Sequence, residues 1–122
     1  MDDYYRQVFC QKIVDELADY KEEKLKLLPE ELYHSAYEID SFIRIFEIMI
    51  EESEKLSGEV LRKLICVPNL LNVLYGLWMD TEDSSEEELE NCISRYIGRL
   101  NRLSLTEYVK RRWMKNEKVG IF

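Results

Sequence analysis

The side chains that most often carry catalysis or bind metals are few in this chain. There is one histidine, His34, and the three cysteines, Cys10, Cys66 and Cys92, are widely separated from it and from one another. Structural zinc sites need ligands at short spacings such as Cys-x-x-Cys or His-x-x-x-His, and neither spacing occurs. A nucleophilic Cys–His pair would have to be assembled from distant parts of the chain. The sequence therefore predicts no metal site.

Carboxylates are abundant, but their spacing is typical of helix surfaces. Adjacent pairs and runs occur at Glu22-Glu23, Glu30-Glu31, Glu51-Glu52 and Glu86-Glu87-Glu88. Hydrolytic catalysis needs carboxyl groups held in a cleft in different environments, whereas these groups flank helix starts. The four glycines are scattered at positions 58, 76, 98 and 120, so no phosphate-binding glycine loop is present. We predict a protein with no enzymatic activity, no catalytic residues and no cofactor.

The elements that carry these residues are all predicted to be helices. Apolar residues recur at spacings of three and four from residue 5 to residue 20, which predicts a first helix from Asp2 or Asp3 to about Leu25. Pro29, followed by two glutamates, predicts the start of a second helix. Its expected inner face consists of Leu32, Tyr33, Ala36, Tyr37 and Ile39.

The middle of the chain is predicted to form the central helix. Phe42–Ile50 is apolar except for Arg44 and Glu47, which with Glu51 form a narrow polar stripe. Asp40-Ser41, just before it, is expected to cap or kink the chain because both side chains compete for backbone N–H groups.

Later helix starts are marked by capping residues. Ser57 is expected to cap a short helix to about Val67, and Pro68-Asn69 to open another over Leu70–Met79. Ser85 with Glu88 forms a capping box before a helix that runs to about residue 103. Ser104 or Thr106 is expected to cap a last helix to about Lys115, with a loosely ordered tail over residues 116–122. The sequence predicts an all-α fold, a compact bundle of five to six helices.

Length and composition point to one domain over residues 1–122, since a chain of this size buries a single core. Asp2 and Asp3 follow Met1, so no basic and apolar leader is visible, and the longest apolar stretches are far below the roughly 20 residues needed to cross a bilayer. Three widely spaced cysteines are typical of reduced thiols. We expect a cytoplasmic protein that does not bind membranes.

Two stretches carry a family resemblance over about residues 25–80. They are Leu28-Pro29-Glu30-Glu31-Leu32 with Ala36-Tyr37-Glu38-Ile39, and Leu61 to Leu64 followed by Pro68-Asn69-Leu70-Leu71, Leu74-Tyr75 and Trp78. Together they resemble a small uncharacterised helical domain family of bacterial mobile elements. The resemblance implies a setting among mobile-element accessory proteins, and it implies no catalytic residues.

Charge is sorted along the chain. Residues 1–61 hold 16 acidic against 7 basic residues, residues 80–90 hold 7 acidic and no basic residues, and residues 91–122 hold 8 basic against 2 acidic residues. Such a distribution selects and steers partners. One interpretation is that the basic C-terminal segment pairs with the acidic N-terminal helices of the same molecule.

The acidic segments give the leading functional hypothesis. Closely spaced carboxylates imitate phosphates, so they could occupy a basic groove on a protein that handles nucleic acid. Small acidic inhibitors from mobile elements act in this way, and anti-CRISPR proteins are the best-known class. The alternative is that the charge only keeps the protein soluble. The candidate partner-binding residues are Glu51, Glu52, Glu54, Asp80, Glu82, Asp83, Glu86, Glu87, Glu88 and Glu90.

The basic C-terminal segment supports a second hypothesis, a small nucleic-acid-binding regulator. Its cationic and aromatic side chains are interleaved, as in some helices that bind RNA or DNA. A chain of net charge −8 repels a phosphate backbone at long range, so direct nucleic-acid binding is the less favoured interpretation. The candidate residues are Arg95, Arg99, Arg102, Lys110, Arg111, Arg112 and Trp113.

A third hypothesis concerns the apolar segment at residues 70–79. Leu70, Leu74, Trp78 and Met79 are candidates for an apolar contact patch in a homo-oligomer or an antitoxin-like subunit. The sequence does not fix the oligomeric state.

Overall fold

The structure, a computed structural model, describes residues 2–81 and 85–102. Within these ranges the chain forms six α-helices and no strand. They are α1 (Asp2–Leu25), α2 (Pro29–His34), α3 (Ala36–Ser53), α4 (Gly58–Ile65), α5 (Leu70–Met79) and α6 (Glu86–Arg102). The prediction of an all-α bundle is confirmed. The expected last helix, from Ser104 or Thr106 to Lys115, and the tail at 116–122 lie outside the described residues.

Local capping explains where several of the helices begin. Ser57 accepts a hydrogen bond from the Val60 backbone N–H at 3.3 Å, and Ser85 accepts one from the Glu88 N–H at 3.2 Å. Each bond satisfies a donor in the first turn that has no partner inside the helix. Pro29 stands at the start of α2, where a missing N–H costs nothing. These three predicted helix starts are confirmed.

The break before the central helix lies earlier than the sequence pattern predicted. Helix α2 ends and α3 begins on either side of Ser35, whereas Asp40 and Ser41 lie inside α3. The Ser41 hydroxyl donates a 2.8 Å hydrogen bond to the Tyr37 carbonyl one turn back, so it bonds to the helix instead of interrupting it. The prediction of a cap or kink at Asp40-Ser41 is therefore wrong.

The start of α5 is capped from another helix. Asn69 has a left-handed backbone conformation with φ of 52°, and its side chain makes no capping hydrogen bond. The Leu71 N–H instead donates to the Glu16 carboxylate of α1 at 3.0 Å. Lys12 forms an ion pair with the same carboxylate. A carboxylate is favourable there because it accepts a hydrogen bond from an N–H that has no partner within the helix, at the positive end of the helix dipole.

Helix α1 is the hub of the bundle. It packs against α3, α4 and α5, while α6 packs against α4 and α5. Arg6, near the start of α1, donates to the Ser53 carbonyl at the end of α3, and Lys24, near the end of α1, pairs with Glu38 of α3 at 2.7 Å. The two helices are therefore antiparallel. The largest fully buried apolar side chains of the core are Phe9, Ile13, Ile45, Met49, Leu61, Leu64, Leu70, Leu71, Leu74, Leu89 and Ile93.

Aromatic rings join α1, α3 and α5 in one stack. Tyr20 and Phe42 are stacked with ring centroids 3.9 Å apart, and Phe42 lies 5.0 Å from Tyr75. Burial and the nearby Glu38 carboxylate raise the pKa of the Tyr20 phenol above its ordinary value. Burial, again with Glu38, also raises the pKa of Tyr75. Both phenols therefore stay neutral throughout the physiological pH range.

No single described helix is long and apolar enough to cross a membrane. The pair α4 and α5 reaches the required length and composition only when taken together, and the two helices meet at an angle of 89°.

The three thiols are expected to react at different rates. Cys66 is exposed at the end of α4, Cys10 is half-buried, and Cys92 is buried in α6, where burial raises the pKa of its thiol. With a disulfide reagent at neutral pH we expect Cys66 to react first and Cys92 to react about 100-fold more slowly, after local opening. Replacing Cys66 by serine should remove the fast phase. A fast phase that persists in Cys66→Ser would contradict the burial of the other two thiols.

Candidate protein-binding surface

Arg44 brings the two acidic regions of the sequence together. Its guanidinium forms an ion pair with Glu86 in the first turn of α6 and another, at 3.2 Å, with Glu47 one turn along α3. Burial lowers the pKa of Arg44, but the two carboxylates outweigh that effect and hold the pKa above its ordinary value. The first turn of α6 therefore lies beside the polar stripe of α3.

Exposed carboxylates extend from this ion-pair cluster along both helices. Glu51 lies about 6 Å beyond Glu47 along the helix axis, on the same stripe of α3. Glu87 and Glu90 are exposed on α6. In the described part of the chain, Glu51, Glu87 and Glu90 form no ion pair. We call Glu47, Glu51, Glu86, Glu87 and Glu90 the acidic surface.

The other predicted acidic residues differ in their exposure and in whether they form ion pairs. Glu52 is half-buried, 3.8 Å from Lys55, and Glu54 is exposed where α3 ends. Glu88 is half-buried and accepts a 2.7 Å hydrogen bond from Arg95. Asp80 is exposed at the end of α5. Glu82 and Asp83 lie outside the described residues. Glu47 was not among the predicted site residues, although its place on the polar stripe with Glu51 was the signal that could have identified it.

The described part of the basic segment does not pair with the acidic N-terminal helices. Arg95 pairs with Glu88 on its own helix, and that hydrogen bond raises the pKa of Arg95. Arg102 donates to the Gly98 carbonyl, and within residues 2–81 and 85–102 Arg99 forms no ion pair. All three arginines are exposed on α6. The remaining candidates, Lys110, Arg111, Arg112 and Trp113, lie outside the described residues.

The predicted apolar contact patch is wrong for three of its four residues. Leu70, Leu74 and Trp78 are 0%, 1% and 5% exposed, so they belong to the core, and only Met79 reaches the surface, with 36% exposed. The reason is that α5 packs against three helices, α1, α3 and α6. Four of the ten residues of α5, at positions 70, 71, 74 and 78, are buried against those helices.

A different apolar surface lies at the corner where α1, α2 and α3 meet. Four large side chains there are mostly exposed: Leu25 at 76%, Leu28 at 68%, Tyr33 at 78% and Tyr37 at 57%. The predicted inner face is therefore wrong for Tyr33, Tyr37 and Ala36, which is also exposed, whereas Leu32 and Ile39 are half-buried. Helix α2 is a short element with no buried residue, and it contacts mainly α3. Periodicity alone does not tell whether a neighbouring helix covers a face.

Leu25 also lines a groove between the end of α1 and the start of α3. Its volume is about 450 Å³, and most of its lining is apolar. We call it the corner groove, and its lining residues are Lys21, Lys24, Leu25, Leu32, Ala36, Ile39, Asp40 and Ile43.

A second cavity, of about 280 Å³, opens between α1, α3 and the start of α5. Its polar lining includes Glu16, Asp19, Glu23, Asn69 and Asn72, and its apolar lining includes Phe42. Glu16 is already bonded to Leu71 and Lys12, so this cavity is part of the junction that caps α5.

Comparison with known proteins gives no match: no family model, no curated protein and no solved structure is significantly similar to this chain.

Proposed function

We propose that this protein is a non-enzymatic interaction protein that binds a basic surface of a nucleic-acid-handling protein through its acidic surface. The observation that supports the proposal is the Arg44 ion-pair cluster, which holds the first turn of α6 beside α3. Arg44 thereby joins carboxylates that are 39 residues apart in sequence, Glu47 and Glu86.

The chemistry of that surface suits a groove built for phosphates. Carboxylates on neighbouring helix turns present charges about 6 Å apart on rigid elements, so the partner's arginines and lysines meet an ordered array. Long-range attraction between such an array and a basic groove speeds association and weakens with salt. Binding there would exclude nucleic acid from the groove, which is how an inhibitor of the anti-CRISPR kind would act on its target. The resemblance to a mobile-element family is consistent with that role.

The proposal is tested with two triple variants of equal net charge. In the first, Glu51, Glu87 and Glu90 of the acidic surface are changed to lysine. In the matched control, Asp19, Glu22 and Glu30 are changed to lysine, since they are exposed carboxylates without an ion pair in the described part of the chain. The three acid-to-lysine changes raise the net charge equally in both variants. Neither variant removes a described ion pair, so both are expected to fold.

Binding is measured after capture of partners from a bacterial lysate, with mass spectrometry, followed by titration of the captured protein at about 0.15 M salt. We expect the acidic-surface variant to lose at least tenfold in affinity, mostly through slower association, and the control to lose less than about threefold. Excess double-stranded DNA should displace the wild-type protein. Equal losses in the two variants would mean that total charge rather than this surface matters, and they would contradict the proposal.

The exposed Arg95, Arg99 and Arg102 are the observation that favours the nucleic-acid-binding alternative. A gel shift with mixed nucleic acid at low salt distinguishes the two functions. The acidic-surface proposal requires no retention by the isolated protein, while a regulator that uses α6 requires retention that weakens steeply as salt is added.

A further inference from the structure

We propose that the corner groove is where a second copy of this chain docks, so that two molecules pair about a two-fold axis at the corner of α1, α2 and α3. This inference is independent of the acidic surface.

A large apolar area is left uncovered at this corner. Leu25, Leu28, Tyr33 and Tyr37 together expose roughly 500 Å² of side chain. A stable dimer buries about 800 Å² on each partner. These four side chains and the floor of the groove are thus large enough to form the centre of such an interface.

The shape of the corner suits an exchange of side chains between two copies. The groove has an apolar floor that includes Leu32 and Ile39, and each exposed tyrosine follows a lining residue in sequence, Tyr33 after Leu32 and Tyr37 after Ala36. A tyrosine side chain is an effective anchor because it buries a large apolar ring at a small entropic cost and keeps its hydroxyl at the wet rim. In a two-fold pair, Tyr33 or Tyr37 of each copy can enter the groove of the other.

The two walls of the groove carry opposite charges. Lys21 stands on the α1 wall and Asp40 on the α3 wall, and neither forms an ion pair within the described residues, whereas Lys24 is already paired with Glu38. A two-fold axis brings residue i of one copy to residue j of the other and, equally, residue j to residue i. Lys21 of each copy then faces Asp40 of the other, and the groove is complementary to itself.

The test measures self-association by light scattering and sedimentation equilibrium between about 1 and 200 µM. The wild-type chain should form a dimer. In Lys21→Glu, two acidic residues face each other at both symmetric positions, and in Asp40→Lys two basic residues do so. Each single variant should therefore weaken the dimer by tenfold or more.

Mixing the two single variants gives the sharpest result. The carboxylate introduced by Lys21→Glu in one chain faces the ammonium introduced by Asp40→Lys in the other, and the two unchanged residues, Asp40 and Lys21, face each other at the symmetric position. Opposite charges are thus restored at both positions, so the mixture should dimerise again. A misfolded protein would not be rescued by mixing. The double variant Lys21→Glu/Asp40→Lys should likewise dimerise alone.

Three results would overturn the proposal: a wild-type chain that is monomeric at about 200 µM, single variants that dimerise as tightly as the wild type, or a mixture that stays monomeric. A monomer would mean that a different protein covers the groove. The acidic-surface variant should dimerise normally, so failure of this inference and failure of the proposed function are measured separately.

Discussion

Replacing Leu74 by alanine should lower the free energy of unfolding by about 3 kcal/mol. Leu74 is 1% exposed on α5, and this helix is packed against α1, α3 and α6. The substitution removes three carbon atoms from a closely packed core that relaxes only in part, so the loss of burial and the resulting cavity both contribute. Urea unfolding followed by circular dichroism measures the change.

Met79→Ala is the matched control because Met79 lies at the exposed end of the same helix. It should cost less than about 1 kcal/mol. The comparison also separates two interpretations of α5. If Leu74 belonged to an oligomer interface, its truncation would change self-association and leave the stability of the monomer almost unaltered. That outcome would contradict the buried position described above.

Replacing Lys63 by methionine should raise the free energy of unfolding by about 1–2 kcal/mol. Lys63 lies in α4 and is fully buried, and its ammonium makes no hydrogen bond in the described part of the chain. Its one ion-pair partner there is Glu59, 3.5 Å away and 69% exposed. A charge that has lost its hydration and gained one solvent-exposed ion-pair partner is costly, whereas methionine has a similar length and no charge.

Glu59→Gln tests the same argument in the opposite direction. Removing the carboxylate leaves the buried ammonium without an ion pair, so the protein should become less stable, and Lys63→Met/Glu59→Gln should recover the loss. The double-mutant cycle gives the coupling between the two residues. A large loss of stability in Lys63→Met would mean that the ammonium is better satisfied than its surroundings indicate.

The sequence predicted those features that depend on neighbouring residues. Pro29, Ser57 and Ser85 act within one turn of their own positions, so the starts of α2, α4 and α6 could be read from local chemistry. The break at Ser35 was missed because it was expected six residues later, at Ser41. The Ser41 hydroxyl instead donates a hydrogen bond to the Tyr37 carbonyl and stays inside the helix.

Contacts between residues far apart in the sequence could not be predicted from the sequence pattern. Arg44 and Glu86 are 42 residues apart, and no spacing rule predicts that they meet. The periodicity of α2 and α3 showed which residues share a face, but it could not show that no neighbouring helix covers Tyr33 and Tyr37. For segment 70–79 the error was the opposite one: residues predicted at the surface are buried. An apolar helix can belong to the core or to an interface, and its sequence does not show which helices surround it.

The position of α1 at the hub has a consequence for the newly made chain. Its apolar stripe of Phe9, Ile13 and Leu17 is covered by α3, α4 and α5, and the last of these ends at Met79. At a synthesis rate of about 5–20 residues per second, roughly 3 to 10 s pass between completion of α1 and completion of α5. During that interval the stripe is covered only in part, because α3, α4 and α5 are added one after another.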